Sequence, residues 1–446
     1  MRSKIATVFI LITLSYHIAY AELFNLFLHC DGTNDSGIFS DETGKPITAH
    51  GSARIDTSQK KIGKGSVLLG KIADPMLHFN GVNGSIHFID SANSGHSFTA
   101  GGTAHVDTAQ SKFGGASLFL DGKSGCLSSA DHSDWEFKDG DFTIDFWVRF
   151  NSVIEPQGII GQWDKWNDQA SWLISLQTST SLAFYYTFDG ITEKTASVFW
   201  TPSIKTWYHI SVIRNQKDLK IFINGTQAGE TYKIGKDAIF NSTSQLFIGA
   251  AQSGDITGSP LNFVNGWVDE VRILKGKAYY TSNFTTPSTP YVGDYLSAPD
   301  SPDWEFGSDN FTIDFWVRFA AFNQANIFLS HWDRNKGQFS WILFFNNDTK
   351  TIKFEYATSN TVIRAPAQKW HPTIGVWYHI VVVRDGGDLK IFVDSALVGS
   401  TYNIGKDTII DSISLLTIGA EESRQLSPDA ANYLIGWMDE IKISSF

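Results

Sequence analysis

The sequence predicts an all-β protein made of two antiparallel β-sandwiches, one carried inside the other. Three observations predict it. Apolar residues alternate with a period of two almost throughout, and no long stretch repeats at the helical period. Turn-forming residues interrupt these runs every 8 to 12 residues or so, the rhythm of a sandwich. The third observation is that one long passage is written twice. Asp134-Trp135-Glu136-Phe137, followed by Phe142-Thr143-Ile144-Asp145-Phe146-Trp147-Val148-Arg149-Phe150, returns as Asp303-Trp304-Glu305-Phe306 and Phe311-Thr312-Ile313-Asp314-Phe315-Trp316-Val317-Arg318-Phe319. Further on, Trp163 answers to Trp332, Trp172 to Trp341, Trp207 to Trp377, Arg214 to Arg384 and Trp267 to Trp437. A period this long marks a duplicated domain, because solenoid units run to only about 20–50 residues. What one copy does, the chain is expected to do twice.

From the start, Met1 to Ala21 read as a secretory signal (residues 1–21). Arg2 and Lys4 supply the basic start, Ile5 to Leu14 the apolar stretch, and Ala19-Tyr20-Ala21 the small-x-small cleavage site. The apolar run falls well short of the ~20 residues that span a bilayer, and no later run reaches it. The expectation is a secreted protein, extracellular or at the cell surface, with no membrane span once the signal is removed. Residues 22–72 then form a leader with its own repeat. Leu28-His29-Cys30-Asp31-Gly32 recurs as Leu77-His78-Phe79-Asn80-Gly81, and the run from Ala53 to Gly63 recurs from Ala104 to Gly114. The copy at 75–291 therefore has a leader directly ahead of its body. The body at 292–446 starts abruptly at Gly293-Asp294-Tyr295 and has none. A leader of that size struggles to bury a core alone, and a body without one exposes a sheet edge. The economical reading joins 22–72 to 292–446 as one discontinuous domain, with 75–291 inserted.

Within each body the strands follow in order. Phe142, Ile144, Phe146, Val148 and Phe150 share one face of the first strand. Tyr208 to Ile213 makes a second, and Leu219 to Ile223 a third, closed by Asn224-Gly225, the strongest short hairpin signal. The second copy has Asp394-Ser395 there, so a different turn type is expected. In the closing strands, alternation places Asp269 beside Trp267, Val271 and Ile273, and Asp439 beside Trp437, Ile441 and Ile443. A carboxylate in a core-facing row must be hydrogen-bonded, ion-paired or metal-bound.

Several of these segments resemble a known family: Gly114–Gly122, the Phe-Thr-Ile-Asp-Phe-Trp-Val-Arg strand, Trp207-Tyr208-His209-Ile210, Leu219–Gly225 and Gly266–Ile273. The segment Lys275–Phe284 fits the same pattern. Together they resemble laminin-G-like, concanavalin A-like lectin and glucanase jelly rolls of bacterial type. The resemblance covers nearly everything after the signal. It implies sandwich modules whose ends lie close together, which suits insertion. It says less about function, since such folds carry lectins, adhesins and hydrolases alike.

The formal charge is −11, without a basic cluster, which argues against nucleic acid as a partner. Two cysteines, Cys30 and Cys126, are no disulfide framework; each stands where the repeat has an aromatic and reads as a small buried hydrophobe, with a disulfide as the alternative. No Glu-x-Asp-x-x-Glu strand, zinc-protease motif or nucleophile elbow occurs. The loop at Trp163, Asp164, Trp166 and Asp168, with its counterpart Trp332, Asp333 and Asn335, mixes rings with oxygen-bearing side chains, as glycan sites do. Tyr185, Tyr186 and Asp189 are expected to join it. Asp31, Asp269 and Asp439 are candidate calcium ligands, because oxygen ligands can tie first and last strands of a jelly roll; hydrogen bonding to nearby backbone is the alternative. The leading reading is a non-enzymatic binding protein for a glycan or an extracellular protein. A polysaccharide hydrolase or lyase and a structural envelope protein are the alternatives.

Overall fold

The computed structural model describes residues 24–51, 53–70, 75–91, 96–252, 259–291, 293–322, 324–334, 336–421 and 432–446. The signal segment at 1–21 and the candidate Asn335 lie outside them. The described residues group into two compact units: a split unit from 24–70 and 294–446, and a continuous unit from 75–293. Their regular elements are strands and short 3₁₀ turns.

Each unit stacks two antiparallel sheets. In the split unit one sheet runs Arg54–Asp56, Ser66–Leu69, Ile435–Ser445, Phe311–Ala321, Trp377–Asp385, Asp388–Val393, Ala396–Leu397, with Leu26–Leu28 also on the 435–445 strand. The other runs Thr48–His50, Tyr295–Ala298, Leu416–Ile418, Ala325–Asp333, Gln338–Asn346, Thr351–Ser359, Val362–Arg364. The leader strands thus hydrogen-bond into both sheets: Leu26 opposes Ile443, Leu68 opposes Trp437, and Ala49 opposes Leu296. The continuous unit repeats the pattern with its own leader, where Leu77 opposes Val271, Phe119 opposes Trp267 and Ala100 opposes Leu127.

The opening strands show why the sheets stack. Phe311, Ile313, Phe315, Val317 and Phe319 are all fully buried between the sheets, while Thr312, Asp314, Trp316 and Arg318 face outward and are half-buried. Each large apolar side chain so buried is worth roughly 1.5–3 kcal/mol. Cys30 and Cys126 are both buried free thiols.

Two local expectations change. The first concerns the closing strands. Trp316 opposes Asp439 and Asp314 opposes Lys442, so Phe315 alone faces both Glu440 and Ile441. The continuous unit breaks register in the same way between Asp145 and Trp147. Each break is a β-bulge, and its extra residue reverses the inside–outside alternation. Val268, Val271 and Ile273 point into the core, as do Met438, Ile441 and Ile443. Asp269 and Asp439 therefore do not share a face with the two apolar residues that follow them. The bulge residues, Glu270 and Glu440, both take φ of +51°, unusual for a side chain with a Cβ. Glu270 is held by Nδ1 of His78 at 2.8 Å and the amide of Tyr291 at 2.7 Å; Glu440 is held by Nδ1 of His29 at 2.6 Å.

The second is the turn at Asp394-Ser395. Its φ values are +48° and +68°, beside +50° and +77° at Asn224-Gly225, so the two turns share one type. The shared side-chain bond explains this. Asn224 Oδ1 accepts the His209 amide and Asp394 Oδ1 accepts the His379 amide, each at 2.9 Å.

Candidate functional site

In the continuous unit the strand Gln157–Asp164 runs into the 3₁₀ turn Lys165–Asn167. Asp164 caps it, accepting from the Asn167 amide at 3.3 Å and from its side-chain Nδ2 at 2.8 Å. Asp168, at φ +57°, ends it. This caps the turn and buries Asp164, so that carboxylate serves the loop. Trp163 is also buried, against Ala170, Leu173 and Ala251, with Tyr185 half-buried alongside at 6.0 Å. Tyr186 points the other way, into the core. Asp189 is exposed and accepts the amides of Ile191 and Thr192 at 2.9 and 2.7 Å. Hydrogen bonds from the Thr192 side chain and from these amides hold its carboxyl down at about 2. Lys165 and Glu193 pair at 2.9 Å and bring the two turns together. The surface they share presents Trp166, 60% exposed, with Asp168, Asp189 and the edge of Tyr185.

The matching face of the split unit is chemically different. Trp332 is 0% exposed and packs on Phe339 at 4.8 Å, so it offers no ring to a ligand. Asp333 is buried too, bound by the Lys336 amide at 3.1 Å and its ammonium at 3.0 Å. Both correct the expectation that this loop itself forms a binding surface; the apolar and capping roles leave neither side chain free. Beside them lies a cavity of about 210 Å³ floored by Ile327, Ile342 and Phe344. Its wall carries Arg334, whose Nε meets Glu421 at 2.9 Å and whose terminal nitrogen lies 3.7 Å from Glu355. Arg334 is 41% exposed, whereas Glu421 is 2% exposed. Burial pushes the Glu355 carboxyl up, against the pull of Arg334 and Lys353. Alternation along Thr351–Ser359 places Lys353 and Glu355 outward, a signal present in the sequence. Nothing in the sequence brings Glu421 to them.

The architecture has counterparts elsewhere. The model of the concanavalin A-like lectin/glucanases superfamily, a laminin G type, matches residues 121–278 and again 290–446. The chain belongs to that family. Among solved structures, the botulinum neurotoxin serotype C1 binding domain is 13% identical, with a TM-score of 0.37, over 84% of this chain and 99% of that one. Domains LG4-5 of the mouse laminin alpha1 chain are 11% identical, with a TM-score of 0.24, over 69% and 84%. The CBM40 of the Ruminococcus gnavus IT-sialidase, bound to alpha2,3 sialyllactose, is 12% identical, with a TM-score of 0.27, over 32% and 78%. No curated protein matches the chain.

Both laminin-G-like units treat the closing-strand aspartate alike. Asp439 Oδ2 accepts the amides of Lys61 and Ile62, both at 2.9 Å, and Oδ1 accepts that of Glu440 at 3.0 Å. Asp269 accepts from Lys112, Phe113 and Glu270 at 2.7, 3.2 and 2.9 Å. Asp31 accepts the amides of Lys64 and Gly65. Burial pushes the Asp439 carboxyl up to about 6 and raises that of Asp269 as well, against these donors. Amide hydrogens are what converge on all three carboxylates, and a cation would have to displace them. The set fits a lock between leader and body. The adjoining contacts repeat as well. Lys61 lies over Trp316 at 4.2 Å and Lys112 over Trp147 at 3.8 Å; Trp437 donates to Asp56 and Trp267 to Asp107, each at 2.8 Å.

Proposed function

We propose that this chain is a secreted, non-enzymatic binding protein that recognises a glycan on the outer face of the split unit's 325–333, 338–346 and 351–359 strands. The cavity above Ile327, Ile342 and Phe344 carries this reading. An apolar floor takes the C–H face of a sugar ring, while the Arg334 guanidinium fork and the Glu355 carboxylate on its rim are placed to bind hydroxyls. Arg334 touches both glutamates, which ties them into an ion-pair cluster; a glycosidase needs one carboxyl free to give up a proton. The continuous unit offers the exposed Trp166, with Asp168 and Asp189, on its own corresponding face, a separate and more open surface for the same class of ligand.

A glycan array on the full chain, run beside a polysaccharide hydrolysis screen, tests the proposal. Binding without turnover is expected. Lys353→Ala and Arg334→Gln should weaken it by about tenfold, equal to ~1.4 kcal/mol, and Trp166→Ala by less. Turnover would transfer the site to the hydrolases. An array without any bound glycan would overturn the reading in favour of a protein ligand or a structural role.

A further inference from the structure

His331 sits near the end of the Ala325–Asp333 strand and is 0% exposed. Neither of its ring nitrogens makes a well-aligned hydrogen bond among the described residues, although the Asp300 carboxylate and the Ser414 backbone both approach the ring. Its Nε2 lies 3.3 Å from Oδ1 of Asp300 without the alignment of a hydrogen bond. Asp411 approaches from ahead of the Leu416–Ile418 strand. One ligand atom from each of Asp300, His331 and Asp411 falls within 4.8 Å of the others, and both carboxylates are exposed. The imidazole is thus buried, with two exposed carboxylates grouped at its edge.

The continuous unit provides an internal control, since its corresponding residues are Asp131, Gln162 and Asn241. There the Gln162 amide nitrogen donates to Asp131 at 2.8 Å and to the carbonyls of Ser242 and Ser244 at 3.1 and 2.8 Å, while its oxygen has no partner among the described residues. The linked serine hydroxyls that follow are kept in both units, at 2.7 Å between Ser242 and Ser244 and 2.8 Å between Ser412 and Ser414, which fixes the correspondence. A third position also differs. Lys138 pairs with Glu136 at 3.0 Å, whereas Glu305 has only Gly307 at the equivalent place. The carbonyls of Lys138 and Gly307 bind Arg214 and Arg384 alike, so the backbone there is the same. In the split unit an amide has become an imidazole, a second amide has become a carboxylate, and a lysine has gone.

We propose that Asp300, His331 and Asp411 form a binding site for a divalent transition-metal cation of the zinc class. One imidazole with two carboxylates is a mixed nitrogen and oxygen set, which zinc accepts and calcium, an oxygen-seeking ion, does not favour. The Glu305 carboxylate beside them adds attraction. Bound there, the ion would clamp the loop before the 3₁₀ turn Pro302–Trp304 to the strand that starts at Leu416.

Titration calorimetry and thermal melting of the untagged full chain with zinc chloride test this. His132→Ser serves as the background, because His96, His132 and Asp134 form another cluster in the continuous unit and Ser301 is the residue the split unit uses at that position. Zinc should bind and raise the melting temperature, and calcium should do so far less. His331→Gln and Asp411→Asn should each weaken binding by at least about tenfold. Both substitutions install the sister unit's own residue, so they should fold, as circular dichroism will show. Absence of zinc binding by the folded background protein overturns the proposal. So does binding left unchanged by both substitutions, or calcium bound as tightly as zinc.

Discussion

Removing one carboxylate from a closing strand strips three backbone amides of their acceptor at once. Asp439→Ala would free those of Lys61, Ile62 and Glu440, and Asp269→Ala those of Lys112, Phe113 and Glu270. An unsatisfied buried donor set costs about 1–3 kcal/mol. For a domain of this size that corresponds to a fall in melting temperature of roughly 2–4 °C per kcal/mol, readable by calorimetry. Added calcium should shift neither wild type nor variant, since amides occupy the acceptor oxygens. His209 gives the continuous unit a pH dependence. Burial brings its pKa down to about 4, against the attraction of Asp145 and with Arg272 and Lys112 adding repulsion; its Nε2 meets the Tyr291 hydroxyl at 3.0 Å. The unfolded chain takes up this proton near pH 6.5 and the folded unit only near 4. The neutral ring's contribution is therefore complete above pH 6.5 and is lost as pH falls towards 4, by roughly 3 kcal/mol. His209→Gln should flatten that part of the denaturation profile. His29 acts in the opposite sense. Its hydrogen bond to Glu440 raises its pKa, so its contribution holds below pH 6.5 and fades as pH rises beyond.

At the scale of the element, the bulge decides which side chains the closing strand buries. Glu440 carries a left-handed backbone that costs on the order of 1–3 kcal/mol. Inserting one alanine after it slides the rest of the strand by one residue and turns Ile441 and Ile443 outward, so the split unit should fail to fold and appear insoluble on expression. Glu440→Gly keeps the extra residue, relaxes the backbone and loses the contact to His29. It should remain soluble with a melting temperature within a few degrees of wild type. Equal behaviour of the two variants would mean that the bulge does not set the register.

For the whole molecule, the pairing of Leu26–Leu28 and Ser66–Leu69 with Ile435–Ser445 makes the leader the edge of the split unit's sheet. We propose that 22–72 and 292–446 fold as one cooperative domain around an inserted one. Residues 75–291 expressed alone should then melt in a single transition. Residues 292–446 alone would bare the closing strand's edge and the core side chains beneath Val67 and Leu69, and should aggregate. A soluble 292–446 fragment with a sharp melting transition would show that the leader is dispensable.

Much of this was legible in the chain itself. Period-two alternation through Phe311–Phe319 identifies an inward and an outward face, because a strand's side chains alternate whatever surrounds them. The duplication and the orphan leader are matters of spelling, and Asn224-Gly225 carries its turn in its own dihedral freedom. The sequence also singled out Asp269 and Asp439 as carboxylates that must be satisfied. Which partners satisfy them belongs to tertiary structure, because the Lys61 and Lys112 loops reach them only after the leader docks. The bulge escaped the sequence for a related reason. An extra residue in a strand is defined by the strand opposite, and glutamate does not announce a left-handed backbone. The binding face shows the same division. Trp332 and Trp163 look like ligand rings in a loop, yet packing buries them. Arg334 finds Glu355 and Glu421 across the sheet, and His331 finds Asp300 and Asp411, through contacts between residues far apart in the chain. Local pattern fixes what each strand can do alone; which charges meet is settled only when separate strands are laid side by side.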